Sequence, residues 1–246
     1  MKDYTAETYG ETCADVYDDW HGGLDEATVP ALSELARGGR VLELGVGTGR
    51  VAIPLASAGI EVQGIDASPA MVARMRAKPG GERVRASIGN FADVAAEGEF
   101  ALVFVVFNTF FMLLTQEEQV RCFRNVAARL APGGVFLLEA FVPDLSRYGE
   151  GHPPKIVSVT NERVTLDASQ LDVARQHVTS QKVVLTDGAV RLYPIQIRYS
   201  WPSELDLMAQ LAGLRLRERW AGWRRESFDS RSVKHVSLYE RADGAS

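Results

Sequence analysis

Apolar and polar positions follow two alternating periods along the first 143 residues of this chain. The short apolar runs predict strands at residues 41–44, 60–65, 84–88, 101–107 and 135–141. Apolar positions at three- or four-residue spacing predict helices at residues 50–58, 69–76 and 116–130. Strands that alternate with helices across short connections are typical of a parallel, doubly wound α/β sheet.

The N-terminal segment has a different pattern, because its apolar positions are mostly aromatic. Residues 3–36 are predicted to be helical, with a break at Gly22-Gly23. The stripe that recurs at helical spacing consists of Tyr9, Cys13, Val16, Tyr17 and Trp20. We expect residues 1–39 to form a helical lid on a core of residues 40–143.

The alternation of strands and helices stops after Pro143. Residues 155–201 are predicted to form three strands, with a hairpin turn at Asp187-Gly188. Pro194 places the last of these strands at an edge or on a bulge. Residues 144–202 would then be an added antiparallel sheet.

The closing part of the chain is residues 203–246. A capping box at residues 203–206 predicts a helix, and Gly213 would end it. Residues 214–220 and 233–241 predict two strands that complete a seven-stranded sheet.

Composition narrows the class of protein. The chain has 246 residues, a formal net charge of −5 and 46% hydrophobic residues. This length suits one α/β domain with an elaboration, or two small lobes. No basic cluster occurs, so a nucleic acid is not expected as a partner. The apolar stretch at residues 100–114 is too short to span a bilayer, and the acidic N-terminus lacks the apolar centre of a signal peptide. Cys13 and Cys122 lack neighbours at ligand spacing, so we expect a cytoplasmic protein with reduced thiols and no metal.

The most informative segment is Glu43-x-Gly45-x-Gly47-x-Gly49, at the end of the first predicted strand. Glycine permits positive φ and close approach of the backbone to a ligand. One interpretation is a nicotinamide dinucleotide site, because Gly47-x-Gly49-x-x-Ala52 fits the loose G-x-G-x-x-A pattern and Asp66 follows near the expected distance.

Three details favour S-adenosylmethionine over a dinucleotide. Glu43 is an anion at the mouth of the turn, where it suits a water at the sugar edge or a cationic methionine end and disfavours a pyrophosphate. A further glycine, Gly45, precedes the dinucleotide pair. Met71 stands one turn into the next helix, where it would contact an adenine face while Asp66 holds the ribose hydroxyls; the alternative for Met71 is ordinary core packing.

With these residues the chain resembles the class I S-adenosylmethionine-dependent methyltransferases. VLELGVGTGR resembles their first motif, GIDAS their ribose-binding motif and LAPGGVFLLE their fifth-strand motif, over residues 4–143. A narrower similarity is to antibiotic-sugar N,N-dimethyltransferases of actinobacteria. In this chain Asn90-Phe91 stand where those enzymes usually have an Asp-Met pair, which contacts the adenine amino group. Residues 140–143, after Glu139, stand where those enzymes usually have an aromatic-rich stretch.

The resemblance implies a small-molecule methyltransferase, acting on an amine or hydroxyl of a specialised metabolite, in which alignment of the reacting atoms supplies much of the rate. The expected cofactor contacts are Tyr9, Tyr17, Glu43, Gly45, Gly47, Gly49, Asp66, Ala67, Met71, Asn90, Phe91, Val106 and Phe107. The expected substrate contacts are Trp20, Asn108, Phe111, Arg198, Tyr199 and Trp201. No sharp catalytic signature occurs; Asn108 and His152 are the candidates.

Several alternatives stay open at the level of sequence. Asn108 either orients a substrate or caps a turn. Phe111 either lines a pocket or fills the core. The added sheet either meets the substrate or forms the surface of a homodimer. An NAD(P)-dependent oxidoreductase and a binding module without catalysis are the alternative functions.

Overall fold

The computed structural model describes residues 3–148 and 154–242. Its α-helices are α1 Thr8–Cys13, α2 Tyr17–Trp20, α3 Thr28–Ala36, α4 Ala52–Ser57, α5 Pro69–Ala77, α6 Gln116–Arg129 and α7 Pro202–Leu211. Its strands are β1 Val41–Leu44, β2 Val62–Asp66, β3 Arg85–Ile88, β4 Phe100–Val105, β5 Leu130–Phe141, β6 Lys155–Val159, β7 Arg163–Asp172, β8 His177–Thr186, β9 Ala189–Arg198, β10 Leu214–Trp220 and β11 Lys234–Arg241.

The larger sheet has seven strands in the order β10-β11-β5-β4-β1-β2-β3. Strands β1 to β5 run parallel, and β11 is antiparallel to both β5 and β10. All four residues of β1 are buried, as expected for a strand in a sheet that helices cover on both faces. The structure therefore confirms the predicted α/β class. The strand order reverses between β1 and β4, which are adjacent, and such a switch point is where α/β sheets bind ligands.

The N-terminal region forms three short helices, α1 to α3, and so has one interruption, between Cys13 and Tyr17, besides the predicted break at Gly22-Gly23. The first two are only six and four residues long. Helices this short are not stable alone, so their tertiary contacts must hold them. Glu11 provides one such contact, since its carboxylate accepts hydrogen bonds from the Ser68 hydroxyl at 2.7 Å and the Ala70 N–H at 3.0 Å.

The added sheet has four strands, in the order β6-β7-β8-β9, where the sequence predicted three. The missed turn lies between β6 and β7 and contains neither glycine nor proline. Instead the Thr160 hydroxyl accepts the Arg163 N–H at 3.0 Å, which is a side-chain turn with a weak sequence signature. The hairpin at Asp187-Gly188 is confirmed, and Pro194 lies in the edge strand β9, as predicted.

The predicted capping box at the start of α7 is wrong. The helix begins at Pro202, with Trp201 at the N-cap position and no side-chain cap. Proline suits the first helical position, because the N–H that it lacks would have no partner there. Asp206, the acidic residue at the end of the predicted box, pairs with Arg219 and does not bind the helix terminus. Gly213, at φ 73°, follows the end of the helix as predicted.

Candidate functional site

A cavity of about 560 Å³ lies above the carboxyl ends of the parallel strands, within the range of roughly 300–1,000 Å³ of small-molecule sites. Its floor is the glycine turn after β1, the end of β2, the segments after β3 and β4, and the end of β5. Its roof comes from residues 4–21 and from Ile195 and Ile197 of β9. The added sheet thus contributes part of the cavity wall through β9.

The glycine turn is shaped by positive φ angles and by close contacts. Gly45, Gly47 and Gly49 have φ of 73°, 53° and 77°. A β-carbon at Gly45 would overlap the methyl group of Thr109, and one at Gly49 would lie 2.6 Å from Met75 Cγ. Gly47 has no such obstruction within 3.4 Å, so its backbone faces the cavity. The turn therefore requires glycine at each position, and for different reasons.

Asp66, at the end of β2, is fastened to the glycine turn. Its carboxylate accepts the Gly47 N–H at 2.7 Å and the Ser68 N–H at 2.8 Å. Burial raises the pKa of this carboxyl above its usual value, and the two N–H donors oppose that shift. The side chain is thereby held in one orientation on the cavity wall, with both oxygens able to accept further bonds.

Glu43 and Arg50 flank a small annex of about 20 Å³ beneath the turn. Glu43 is 3% exposed, and its Oε2 has no hydrogen-bond partner among the described residues. Burial, and then the Asp66 charge, raise its pKa well above the usual value. Arg50 lies over the Phe107 ring, 4.0 Å from its centroid. No carboxylate of the described chain lies within ion-pair distance of Arg50, so its charge is available to an anion in the cavity.

The N-terminal helices contact the cavity walls at two points, the first through Glu11 of α1 and the second through Asp18 of α2. Asp18 accepts the Thr48 hydroxyl at 2.6 Å and pairs with Lys78 at 2.7 Å, and Lys78 also donates to the Thr48 carbonyl at 2.8 Å. Together with the bonds from Ser68 and Ala70 to Glu11 of α1, these contacts join both short helices to the loops after β1 and β2. Polar contacts therefore position α1 and α2 over the cavity.

Four side chains of residues 4–21 present neutral polar groups to the cavity. The Tyr9 hydroxyl is 3.3 Å from His21 Nε2, and the Tyr17 and His21 rings are 4.6 Å apart. Burial lowers the pKa of His21 to about 4 and raises that of Tyr17 to about 12. Burial also raises the pKa values of Tyr4 and Tyr9. At neutral pH these four side chains are uncharged.

The segment after β3 has a polar contact that the sequence did not suggest. Asn90 accepts the Ala92 N–H at 2.9 Å and donates to Glu118 of α6 at 3.2 Å. The second Glu118 oxygen accepts the Leu114 N–H at 3.1 Å. Asn90, Phe91 and Glu118 all line the cavity. Helix α6 therefore supplies a carboxylate to the end of the cavity farthest from β5.

The exit of β4 has two consecutive non-glycine residues at positive φ, Phe107 at 56° and Asn108 at 64°. Such angles are costly for residues with a β-carbon, so the surroundings must enforce them. Asn108 accepts the Phe141 N–H at 2.7 Å through its side-chain oxygen. Asn108 thus ties the end of β4 to the end of β5, and it lines the cavity as well.

The cavity brings together most of the residues predicted to contact the cofactor. Those on its wall are Tyr9, Tyr17, Gly45, Gly47, Asp66, Ala67, Met71, Asn90, Phe91 and Phe107. Asn108, which was predicted to contact the substrate, lies on the same wall. Glu43 and Val106 line the annex instead, and Gly49 lies where the turn contacts Met75 and Ile53. His152 falls outside the described residues.

Five residues that were predicted to contact the substrate do not line this cavity in the part of the chain that the structure describes. Trp20 packs edge-on against the buried Tyr193 of β9, at 4.5 Å between ring centroids, where the N-terminal helices meet the added sheet. Phe111 and Tyr199 belong to the buried core. Trp201 borders a separate surface hollow beyond Phe141.

Arg198, the fifth, is 6% exposed and pairs with Glu204. It also donates to Gln119 at 2.6 Å and Ser200 at 2.9 Å. The sequence pattern shows which face of β9 carries Arg198, but it does not show that α6 packs against that face. Arg198 therefore has a structural role, because its guanidinium group joins the added sheet to α6 and α7.

Comparison with known proteins agrees with this architecture. Residues 41–134 match the family described as "Methyltransferase domain". The CcbJ methyltransferase from Streptomyces caelestis is 42% identical, with a TM-score of 0.90 over 97% of this chain and 100% of that chain. A cypemycin N-terminal methyltransferase from Streptomyces is 30% identical over 83% of this chain and 84% of its own length. The fold is also that of CalS10, an amino pentose methyltransferase from Micromonospora echinaspora, at 23% identity and a TM-score of 0.67 over 91% of this chain and 96% of that one.

Proposed function

The chain belongs to the class I S-adenosylmethionine-dependent methyltransferases, and we propose that it methylates an amine nitrogen of a small specialised metabolite. Two of the relatives carry names that include a nitrogen acceptor: the cypemycin enzyme acts at an N-terminus, and CalS10 acts on an amino pentose. These names support the proposal, and the chemistry of the cavity wall carries it.

The residues of the cavity suit S-adenosylmethionine. Asp66 would accept the ribose hydroxyls, since its oxygens keep lone pairs beyond those used by Gly47 and Ser68. Arg50 would pair with the methionine carboxylate, because it is a cation without an ion-pair partner in the described chain. Glu43, with an orphaned buried oxygen, would receive the ammonium group, directly or through one water in the annex.

The bound cofactor supplies an activated methyl group on a sulfonium for in-line displacement. The chain then has to align the acceptor and exclude water, which accounts for an enclosed cavity under a lid. Met112, Leu113 and the two isoleucines of β9 give the remaining wall an apolar character. Asn108 is the polar residue that we assign to orienting the acceptor.

The neutral lid is the observation that favours nitrogen over oxygen. A hydroxyl acceptor needs a base to remove its proton. His21, with its pKa at about 4, is a weak base, and the tyrosines with raised pKa values are hydrogen-bond donors. An uncharged amine carries its own lone pair and needs no base. The desolvated, uncharged lid also favours binding the amine in its neutral form.

The first experiment separates the cofactor alternatives by thermal unfolding. S-adenosylhomocysteine is expected to raise the melting temperature by several degrees, as binding to the folded state does at 100-fold excess over Kd, about 2.7 kcal/mol. NAD⁺ at the same concentration should leave it unchanged. A shift with NAD⁺ and none with S-adenosylhomocysteine would support an oxidoreductase instead.

The second experiment identifies the acceptor atom. Methyl transfer from S-adenosylmethionine is followed by mass spectrometry with pairs of amino sugars and N-terminally free peptides and their hydroxyl counterparts. Product is expected only with the amines. With acceptor amines of different pKa, the rise of kcat/KM with pH should follow the pKa of the amine. A rise that stays at one pH for all amines would reveal an enzyme base, and no transfer to any acceptor would favour a binding module.

A cytoplasmic location, a homodimer and the absence of a nucleic-acid partner stay predictions from the sequence. In the described part of the chain, no helix is long and apolar enough to cross a membrane. Sedimentation of the purified protein would test the dimer.

A further inference from the structure

The end of the cavity farthest from β5 is lined by residues that follow β2 and β3. Asp66 closes β2, and Asn90 comes directly after β3, the outermost strand of the main sheet. If Asp66 holds the ribose, the adenine ring lies toward Asn90. This inference therefore rests on the proposed use of S-adenosylmethionine.

The side chain of Asn90 has a fixed orientation. Its oxygen accepts the Ala92 N–H at 2.9 Å, and its nitrogen donates to Glu118 Oε1 at 3.2 Å. A reversed amide would set its NH₂ group against the Ala92 N–H and would turn its oxygen toward the carboxylate, so both contacts would be lost. Asn90 thus uses its oxygen to cap the turn and its nitrogen to hold Glu118.

The carboxylate of Glu118 is held from two sides with acceptor capacity to spare. Besides Asn90, it accepts the Leu114 N–H at 3.1 Å, and Arg121 lies 3.9 Å away. An ionised carboxylate offers about four acceptor positions. Its side chain is 26% exposed and lines the cavity. The adenine amino group is a donor that needs such an acceptor.

We propose that Glu118 is the residue that recognises the exocyclic amino group of adenine, with Asn90 as the positioning residue that aims it. A charged acceptor strengthens the hydrogen bond relative to the amide oxygen of Asn90. Glu118 lies 28 residues from Asn90 in the chain, on a different element. The specificity for an adenine base is then divided between the loop after β3 and the first turn of α6.

The test compares two ligands that differ at this position, by isothermal titration calorimetry. S-inosylhomocysteine carries a 6-oxo group, an acceptor, where S-adenosylhomocysteine carries the amino donor. Wild type is expected to bind the adenosyl ligand about 10- to 100-fold more tightly, as for one hydrogen bond to a charged group. Glu118→Gln should lose most of this discrimination, because its amide can donate to the 6-oxo group.

The control is Glu117→Gln, the same change at the exposed neighbouring position of α6, which should keep the wild-type ratio. The ratio of the two affinities within one variant is insensitive to partial unfolding, which weakens both ligands alike. An unchanged ratio in Glu118→Gln, or an equal loss of both ligands, would overturn the assignment of Glu118. Failure of wild type to bind S-adenosylhomocysteine would instead refute the proposed cofactor.

Discussion

The carboxylate of Glu139 accepts the backbone N–H of Phe107 at 3.1 Å. Its other oxygen accepts the indole N–H of Trp223 at 3.0 Å. Phe107 and Asn108 both have positive φ, which costs roughly 1–2 kcal/mol per residue with a β-carbon. Glu139 therefore holds the exit of β4 in a conformation that the local sequence disfavours, and this exit lines the cavity.

Replacing Glu139 by glutamine should lower the free energy of unfolding by about 1–3 kcal/mol, because one of two buried N–H donors would face an NH₂ group. Glu139 is 7% exposed, so water cannot replace the lost partner fully. Urea denaturation measures the change. Glu99→Gln, the same change at an exposed position, should stay within about 0.5 kcal/mol of wild type. Equal stability of the two variants would contradict the proposed support of Phe107.

Gly45→Ala should impair cofactor binding as well as stability. Gly45 and Gly59 both have positive φ, 73° and 87°, but nothing lies within 4 Å of a β-carbon at Gly59. Gly59→Ala should therefore cost only about 1–2 kcal/mol of backbone strain. At Gly45 the new methyl group overlaps that of Thr109, on the cavity wall, so affinity for S-adenosylhomocysteine should also fall about tenfold or more.

The mechanism of that loss can be tested by a second substitution. Thr109→Ser removes the methyl group that the Gly45→Ala side chain would overlap. The double variant should regain part of the affinity, as neighbouring sites with a shared steric conflict do. Additive losses in calorimetry would mean that the strain at Gly45, and not the contact, is responsible.

Asp18→Asn should loosen the lid. It removes the charge that pairs α2 with Lys78, while the amide keeps one oxygen for the Thr48 hydroxyl. Both charged side chains are partly exposed, so the effect on stability should be below about 1 kcal/mol and should shrink with added salt. Dissociation of S-adenosylhomocysteine, followed by stopped flow, should become several-fold faster. Asp19→Asn, at the adjacent exposed position, should leave the rate unchanged.

His235 should make the fold sensitive to acid. It is fully buried in β11, and burial lowers its pKa from 6.5 to about 3. The unfolded chain therefore binds this proton more readily than the folded protein below pH 6.5. The stability linked to His235 is complete above that pH and is lost as the pH falls toward 3, at up to about 1.4 kcal/mol per pH unit.

The variant His235→Asn, which can still contact Ser237, isolates this effect. His21 has a lowered pKa as well and acts in the same direction, and it is present in both proteins. Urea denaturation at pH 7.0 and 5.0 should give a smaller loss for the variant than for wild type. Identical losses would show that His235 is protonated in the folded state.

The features that the sequence predicted correctly depend on short-range patterns. Apolar runs and helical spacing identified the strands β1, β2, β4 and β5 and the α/β class, because burial on both faces of a parallel sheet dictates them. The turn at Asp187-Gly188 followed from the backbone preference of glycine. The positions of the glycine turn and of Asp66 at strand ends followed from the same kind of pattern, and their contact with a cofactor stays a prediction.

The features that the sequence missed depend on contacts between distant segments. Arg198 was expected at the substrate because it belongs to the added sheet, but its guanidinium donates to the buried Gln119, 79 residues away in the chain. The contact between Glu118 and Asn90 likewise requires α6 to lie across the end of β3. The sequence by itself determined the sheet, the glycine turn after β1 and the family, because periodicity and glycine geometry are local. Only the tertiary structure decided which polar side chains reach the cavity, because burial and hydrogen-bond partners depend on elements that the chain brings together from far apart.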